Sequence, residues 1–267
     1  VREQKIEPDI YVFIGQTYES NSTAFIKGDE VVLVDGMGSR LDAEELRQRI
    51  EGDLKKQVRF IIATHYFSDH MAALGLFPRA EIITHQSYMH TFSTERHRTK
   101  DEEAHFVEPT MLVSDRLVMK WGRNTLEIFH NPGHTMSSLS IEVPEADLIM
   151  AADNVVGNIV YFSYSTPDMA LHALRRLKRR GRHRLISSHL AVRNSEALEN
   201  AMFYLDRLKT NVQTAWQSGD GDSVLLIPID KCLRPELQAS PYEELYHRRN
   251  LESIVDRRLF IYPAESM

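Results

Sequence analysis

A chain of 267 residues with 42% hydrophobic content is long enough to bury one large core or two modest ones, which excludes disordered and fibrous classes. The net charge of −6 argues against a general nucleic-acid binder, and no stretch approaches the roughly 18 consecutive apolar residues of a membrane span. Cys232 is the only cysteine, so an internal disulfide and cysteine-only metal sites are excluded and any metal must be held by histidine and carboxylate. No apolar signal core follows Val1-Arg2-Glu3-Gln4-Lys5, so a cytoplasmic location is expected, with the periplasm left open because the chain starts at valine.

In chain order, Ile10 to Phe13 and Ser22 to Ile26 are short β-forming runs, and Val31 to Val34 is a continuous apolar strand ending at Asp35-Gly36. Together they predict an antiparallel opening sheet. A capping box of Asp42 with Glu45 predicts the start of a helix whose inner face carries Leu46 and Ile50 and which stops near Gly52. Val58 to Ala63 is the next strand, Met71 to Phe77 reads as a short helix ended by Pro78, and Glu81 to Thr84 is a further strand.

From about 85 to 110 the pattern weakens into a polar segment carrying His85, His90, His97 and His105, expected to be a helical insertion or lid. Leu117 to Met119 and Thr125 to Phe129 flank Trp121-Gly122-Arg123-Asn124 as a hairpin. Leu139 to Val143 and Leu148 to Ala151 are strands, a helix spans about Pro167 to Arg180, and Arg184 to Ser187 is a strand. A helical extension from about 194 to 267 follows, with a helix to about Trp216, a Gly-Asp-Gly-Asp loop and a last helix around Glu243 to Arg258. No internal repeat or low-complexity linker appears, so one domain over 1–267 is expected.

Ligand-type residues recur just beyond the predicted strands. His65, Asp69 and His70 stand in Thr64-His65-Tyr66-Phe67-Ser68-Asp69-His70; His134 stands in Asn131-Pro132-Gly133-His134-Thr135; Asp153 and His189 each close a strand. Strand ends on one sheet edge converge, and imidazole with carboxylate suits a borderline divalent cation such as zinc.

These residues, in this order, resemble the signature of the metallo-β-lactamase fold: His-x-His-x-Asp-His, then Pro-Gly-His-Thr, then an aspartate, then a late histidine, with Asp35-Gly36 at the early Asp-Gly turn. The resemblance covers about residues 8–190. It implies an α/β protein, a four-layer αβ/βα sandwich, with His65, His134 and Asp153 around one metal and Asp69, His70, His189 and the shared Asp153 around a second. Phe67 departs from the pattern, standing where the second histidine would complete the first site, and a phenyl ring cannot donate to a metal. The second site is therefore expected to bind more tightly, with His85 or His90 as candidates for the missing ligand.

The implied activity is metal-dependent hydrolysis of a small-molecule ester, lactone, thioester or amide by a metal-bound hydroxide, with one or two zinc ions and Asp69 orienting or deprotonating the water. Two histidines with one carboxylate are also the ligand set of iron oxygenases, so an iron-dependent oxidase is the alternative, manganese is a further candidate metal, and a catalytically silent ligand-binding protein is a third reading. Tyr161 and Tyr164, in the loop after Asp153, are expected to touch substrate. The basic run Arg175 to Arg182 reads as a solvated helix face rather than a nucleic-acid site, because Leu171, Leu174 and Leu177 supply a buried edge. The helix carrying Tyr246-His247-Arg248-Arg249-Asn250 is assigned packing or capping contacts and no catalytic role. A homo-oligomer stays open.

Overall fold

The computed structural model describes residues 1–96, 98–218 and 221–261. Two sheets face each other. The first has seven strands in sequence order: β1 (Arg2–Glu7), β2 (Ile10–Ile14), β3 (Asn21–Lys27), β4 (Glu30–Val34), β5 (Gln57–Ile62), β6 (Glu81–His85) and β7 (Met111–Val113). Strands β1 to β4 are antiparallel, as the opening runs predict, and β4 to β7 are parallel. The second has six strands, β8 (Arg116–Trp121), β9 (Asn124–His130), β10 (Leu139–Val143), β11 (Leu148–Ala152), β12 (Arg184–Ser187) and β13 (Arg193–Asn194), all antiparallel except β11 with β12.

Strand alternation sorts the apolar side chains into three cores. Val32, Val34 and Ile62 from the first sheet meet Ile128, Leu148, Met150 and Ile186 from the second. On the outer face of the first sheet, Val31, Leu33 and Ile61 pack under Ala43 and Leu46 of α1 (Arg40–Arg47) and under Met71 to Phe77. On the outer face of the second, Phe129, Ile149 and Leu185 pack under α4 (Pro167–Arg179), α5 (Glu196–Ser218), α6 (Gly221–Leu225) and α7 (Pro241–Arg257). The result is the expected four-layer sandwich. The strands read as continuous apolar runs because both of their faces are covered.

Between β6 and β7 lie α2 (Tyr88–Thr94) and α3 (Lys100–Glu103), the short helices of the expected insertion. His97 falls outside the described residues, as do Gly219 and Asp220 of the Gly-Asp-Gly-Asp loop.

Two local expectations fail for identifiable reasons. Helix α1 is capped by Ser39, whose side chain accepts from the Asp42 amide, while the Asp42 carboxylate accepts from the amides of Gln16 and Thr17 at 3.0 and 2.9 Å. Asp42 therefore ties a loop to the helix instead of starting it. Met71 to Phe77 is not an α-helix but turns flanked by two 3-10 segments, Ser68–His70 and Leu74–Leu76. Its amides are drawn away from a helix: Ala72 donates to the Met37 carbonyl and Ala73 to that of Gly36.

Three of the six cations in the basic run have carboxylate partners. Arg180 and Arg182 both bind the Glu142 carboxylate, at 2.7 and 2.6 Å, and Lys178 reaches Glu199 at 2.9 Å.

Candidate metal centre

Parallel pairing decides where the ligand-type residues go. Because β5 runs parallel to β4, and β12 to β11, the chain leaves all four strands at one edge, placing Asp35 beside Thr64 and Asp153 beside His189. Cross-links tie the sheets there: the Leu139 amide donates to the Thr64 carbonyl at 2.8 Å and the Asn21 amide to that of Ser188 at 2.6 Å. Asp35, Ala152 and Leu190, each at or beside a strand end, take left-handed φ values of 60°, 51° and 67°. Such conformations in non-glycine residues cost about 1–3 kcal/mol each and persist only where the surroundings impose them.

All six predicted ligand residues meet at this edge. The Asp153 Oδ2 atom lies 3.2 Å from His189 Nε2, 3.6 Å from His70 Nε2, 3.9 Å from His134 Nε2 and 4.0 Å from His65 Nε2. Asp69 reaches His70 and His189, each at 3.4 Å. Two groups emerge, Asp69-His70-Asp153-His189 and His65-His134-Asp153, in each of which the candidate ligand atoms lie within 4.8 Å of one another and could hold a metal ion.

The second ring nitrogens are fixed from outside. His65 Nδ1 sits 3.1 Å from the Thr64 hydroxyl, His134 Nδ1 3.0 Å from the Tyr161 carbonyl, and His189 Nδ1 2.8 Å from the Tyr18 carbonyl. A carbonyl acceptor at Nδ1 leaves Nε2 as the free lone pair, which points it inward as a donor to a cation. Gly133 has no room for a side chain, since a Cβ there would lie 2.3 Å from Asn154 Oδ1 and 2.5 Å from Ala173 Cβ. That close approach lets Asn154 Oδ1 accept from the His134 amide at 2.8 Å.

The chemistry of the unpaired atoms fits a cation. The buried His65 Nε2, His70 Nδ1 and Nε2, His134 Nε2 and Asp153 Oδ1 atoms have no hydrogen-bond partner. Leaving such groups dry and unpaired costs about 1–3 kcal/mol each, and a metal ion at their centre satisfies several at once. Burial, reinforced by neighbouring His70, holds His65 well below the usual imidazole range, and burial also lowers His134. Burial opposes charge on His70 too, but Asp69 and Asp153 outweigh it and raise this imidazole to about 9; His189 is likewise raised against burial, with Asp153 and Asp69 among the causes.

Phe67 packs beside the His65-His134-Asp153 group. Its ring packs edge-on against His65, His134 and Tyr164, with centroid separations of 5.2, 5.3 and 4.6 Å. The candidate replacements are elsewhere. His85 stacks on His130 at 3.8 Å and bonds the Ser114 carbonyl and the Ser87 amide, and His90 is exposed; among the described residues neither joins a ligand group.

A small cavity of about 70 Å³ opens onto Asp69, Asp153 and His134, and Tyr161 and Tyr164 line it. The insertion forms one wall through Glu95 and Glu102. Glu95 accepts from the Ser68 hydroxyl at 2.6 Å and Glu102 from the Tyr18 hydroxyl at 3.1 Å. The opposite wall corrects the packing-or-capping assignment of the last helix, since Tyr246 and Arg249 of α7 also line the cavity and the Tyr242 hydroxyl lies 3.3 Å from His189 Nδ1. The spacing of Tyr242, Tyr246 and Arg249, four and then three residues apart, puts them on one helix face. That spacing was the available signal.

The model of the metallo-beta-lactamase superfamily matches residues 16–200. No curated protein matches the sequence. Among solved structures, a metallo-beta-lactamase from Pontibacter korlensis is 17% identical with a TM-score of 0.65, covering 77% of this chain and 98% of its own. The DIM-1 metallo-beta-lactamase is 16% identical with a TM-score of 0.62, over 74% of this chain and 93% of its own. The inverting sec-alkylsulfatase Pisa1 from Pseudomonas sp. is 13% identical with a TM-score of 0.72; it covers 98% of this chain, which spans 51% of Pisa1. With its sandwich, its strand-edge cluster and a family match running from Gln16 to Asn200, the chain belongs to the metallo-beta-lactamase superfamily.

Proposed function

We propose that this protein is a metal-dependent hydrolase of a small-molecule ester, lactone, thioester or amide, with Asp69, His70, Asp153 and His189 as its principal ligands and His65 and His134 as a weaker pair. The observation that carries the reading is the Asp69-His70-Asp153-His189 group, whose ligand atoms lie within 4.8 Å of one another and include the unpaired nitrogens of His70. A zinc ion bound there supplies a lowered water pKa and polarisation of the scissile carbonyl. Asp69 is the member of that group with solvent exposure, 17% for its side chain, and it faces the cavity, where it orients or deprotonates the attacking water. Tyr161 and Tyr164 hold substrate against that edge, and Phe67 keeps the first group one donor short. In the same reading α7 belongs to one domain with the sheets, supported by Asn250, whose side chain bonds the Val160 carbonyl and the Phe162 amide at 2.7 and 3.1 Å.

The test is hydrolysis of 4-nitrophenyl acetate, a γ-lactone, an acyl thioester and an anilide by protein stripped with chelator and reloaded with zinc, alongside metal analysis of protein purified without added metal. Turnover that disappears with the chelator and returns with zinc supports the proposal. Stoichiometric iron with oxygen consumption and no hydrolysis would replace it with the oxidase reading. A second substrate reading, a sulfate ester, is favoured by one observation: the likeness to the sec-alkylsulfatase spans 98% of the chain, against 77% and 74% for the two lactamases.

A further inference from the structure

The cavity over the metal centre is lined by four carboxylates and one cation. The carboxylates all have partners. Asp69 and Asp153 face the histidines, Glu95 is held by Ser68 and by Arg98 at 3.3 Å, and Glu102 by Tyr18 and by the Thr99 amide at 2.7 Å. Arg249 differs. Among the described residues no carboxylate lies within ion-pair distance of its guanidinium, and the groups acting on it most strongly are the phenols of Tyr161, Tyr246 and Tyr164. Its guanidinium carbon lies 5.6 Å from the centre of the Tyr246 ring.

A half-buried guanidinium whose nearest polar partner is a neutral phenol loses hydration without gaining a counter-charge. Its backbone is nonetheless fixed. The Arg249 carbonyl accepts from the Ser163 hydroxyl at 3.2 Å, and neighbouring Asn250 is fully buried and bonded to the loop after Asp153. A backbone-fixed cation that touches the Tyr161 phenol but pairs with no carboxylate, and that lines a small cavity shared with the ligand group, is suited to an oxyanion.

We propose that Arg249 anchors an anionic group of the substrate, so that the substrate class is a small monoanionic ester bearing a carboxylate or a sulfate. The word ester rests on the hydrolase reading; the anion site does not. Carboxylate and sulfate share the chemistry the guanidinium recognises, a single negative charge spread over oxygens of which two can face one N–H pair. They differ in consequence: a carboxylate lies remote from the bond that breaks, whereas in a sulfate ester the anion is the reacting group.

The test uses the zinc-loaded protein and two probes, methyl sulfate and propionate, with binding measured by calorimetry for the wild type, Arg249→Gln and Arg249→Lys. Loss of a charge-assisted hydrogen bond to an anion weakens binding by about tenfold or more. The expected result is that Arg249→Gln weakens at least one probe by that factor while Arg249→Lys, which keeps the charge but not the guanidinium fork, recovers only part of it. The probe that shows the loss identifies the anion. No binding to the wild type, or equal binding to wild type and Arg249→Gln, overturns the assignment. A kinetic arm compares mono-4-nitrophenyl succinate with neutral 4-nitrophenyl acetate, where the preference for the anionic ester is expected to fall about tenfold in Arg249→Gln. Arg249-dependent anion binding without hydrolysis of any ester would sink the hydrolase reading and leave the anion site standing. Hydrolysis of both esters with an unchanged preference and no Arg249-dependent binding would do the reverse.

Discussion

The ring of Phe67 meets the imidazole of His134 edge to face, 5.3 Å between centroids at an interplanar angle of 88°. An apolar ring therefore packs against a buried histidine whose Nε2 has no hydrogen-bond partner. Aromatic edge-to-face packing of this kind holds both rings in place.

Restoring that donor should change the metal count. Phe67→His is expected to raise bound zinc at saturation from about one to about two ions per chain, because it adds a third imidazole beside His65 and His134. Elemental analysis after dialysis reads the ratio directly. An unchanged ratio would mean that the first group is already complete or is blocked.

Removing donors from the other group should be more severe. Asp69→Ala and His189→Ala are each expected to weaken metal binding by at least ~100-fold, more than the 10–100-fold typical of outer-shell partners, and to abolish turnover. Competition with a chromophoric chelator gives the affinity, and near-wild-type binding in either variant would refute the ligand assignment.

Proton competition sets the pH behaviour. The folded-state pKa of His70 is raised to about 9, above the ordinary 6.5, by Asp69 and Asp153 acting against burial. A raised folded-state pKa means that, in metal-free protein, this ion pairing stabilises fully below pH 6.5 and is lost as pH rises through 9. Zinc needs the deprotonated ring, so its affinity should rise over the same window. Melting of chelated protein at pH 6 and 9.5, beside zinc titrations at the same values, checks both directions; a metal-free protein that gains stability across that window contradicts the assignment.

The last helix is expected to be indispensable to the cavity. Asn250→Ala would strip partners from the buried Phe162 amide and Val160 carbonyl, costing about 2–3 kcal/mol of stability and loosening the wall that holds Tyr246 and Arg249. Urea denaturation reads the loss as a lower midpoint. A midpoint equal to the wild type would show that α7 docks without this contact.

Much of this architecture was legible in the residues. Runs such as Val31 to Val34 and Val58 to Ala63 announce buried strands, and His65, Asp69, His70, His134, Asp153 and His189 each follow a strand, so their order was enough to suggest a shared edge. Local signals were weaker where the backbone had a competing partner. Met71 to Phe77 has helical spacing, but its amides bond to Gly36 and Met37, a choice set by a turn more than thirty residues away. Asp42 has cap chemistry, yet its carboxylate serves Gln16 and Thr17.

What the sequence determined by itself is the layered fold and the His and Asp residues that gather at one edge, because strand periodicity and donor chemistry are properties of short stretches. What only the tertiary structure decided is the company these residues keep. The exclusion of His85 and His90, the hub position of Asp153 Oδ2 and the arrival of Tyr246 and Arg249 over the centre depend on contacts between elements far apart in the chain. A helix face shows its own spacing in sequence, but the surface that it covers is chosen by packing.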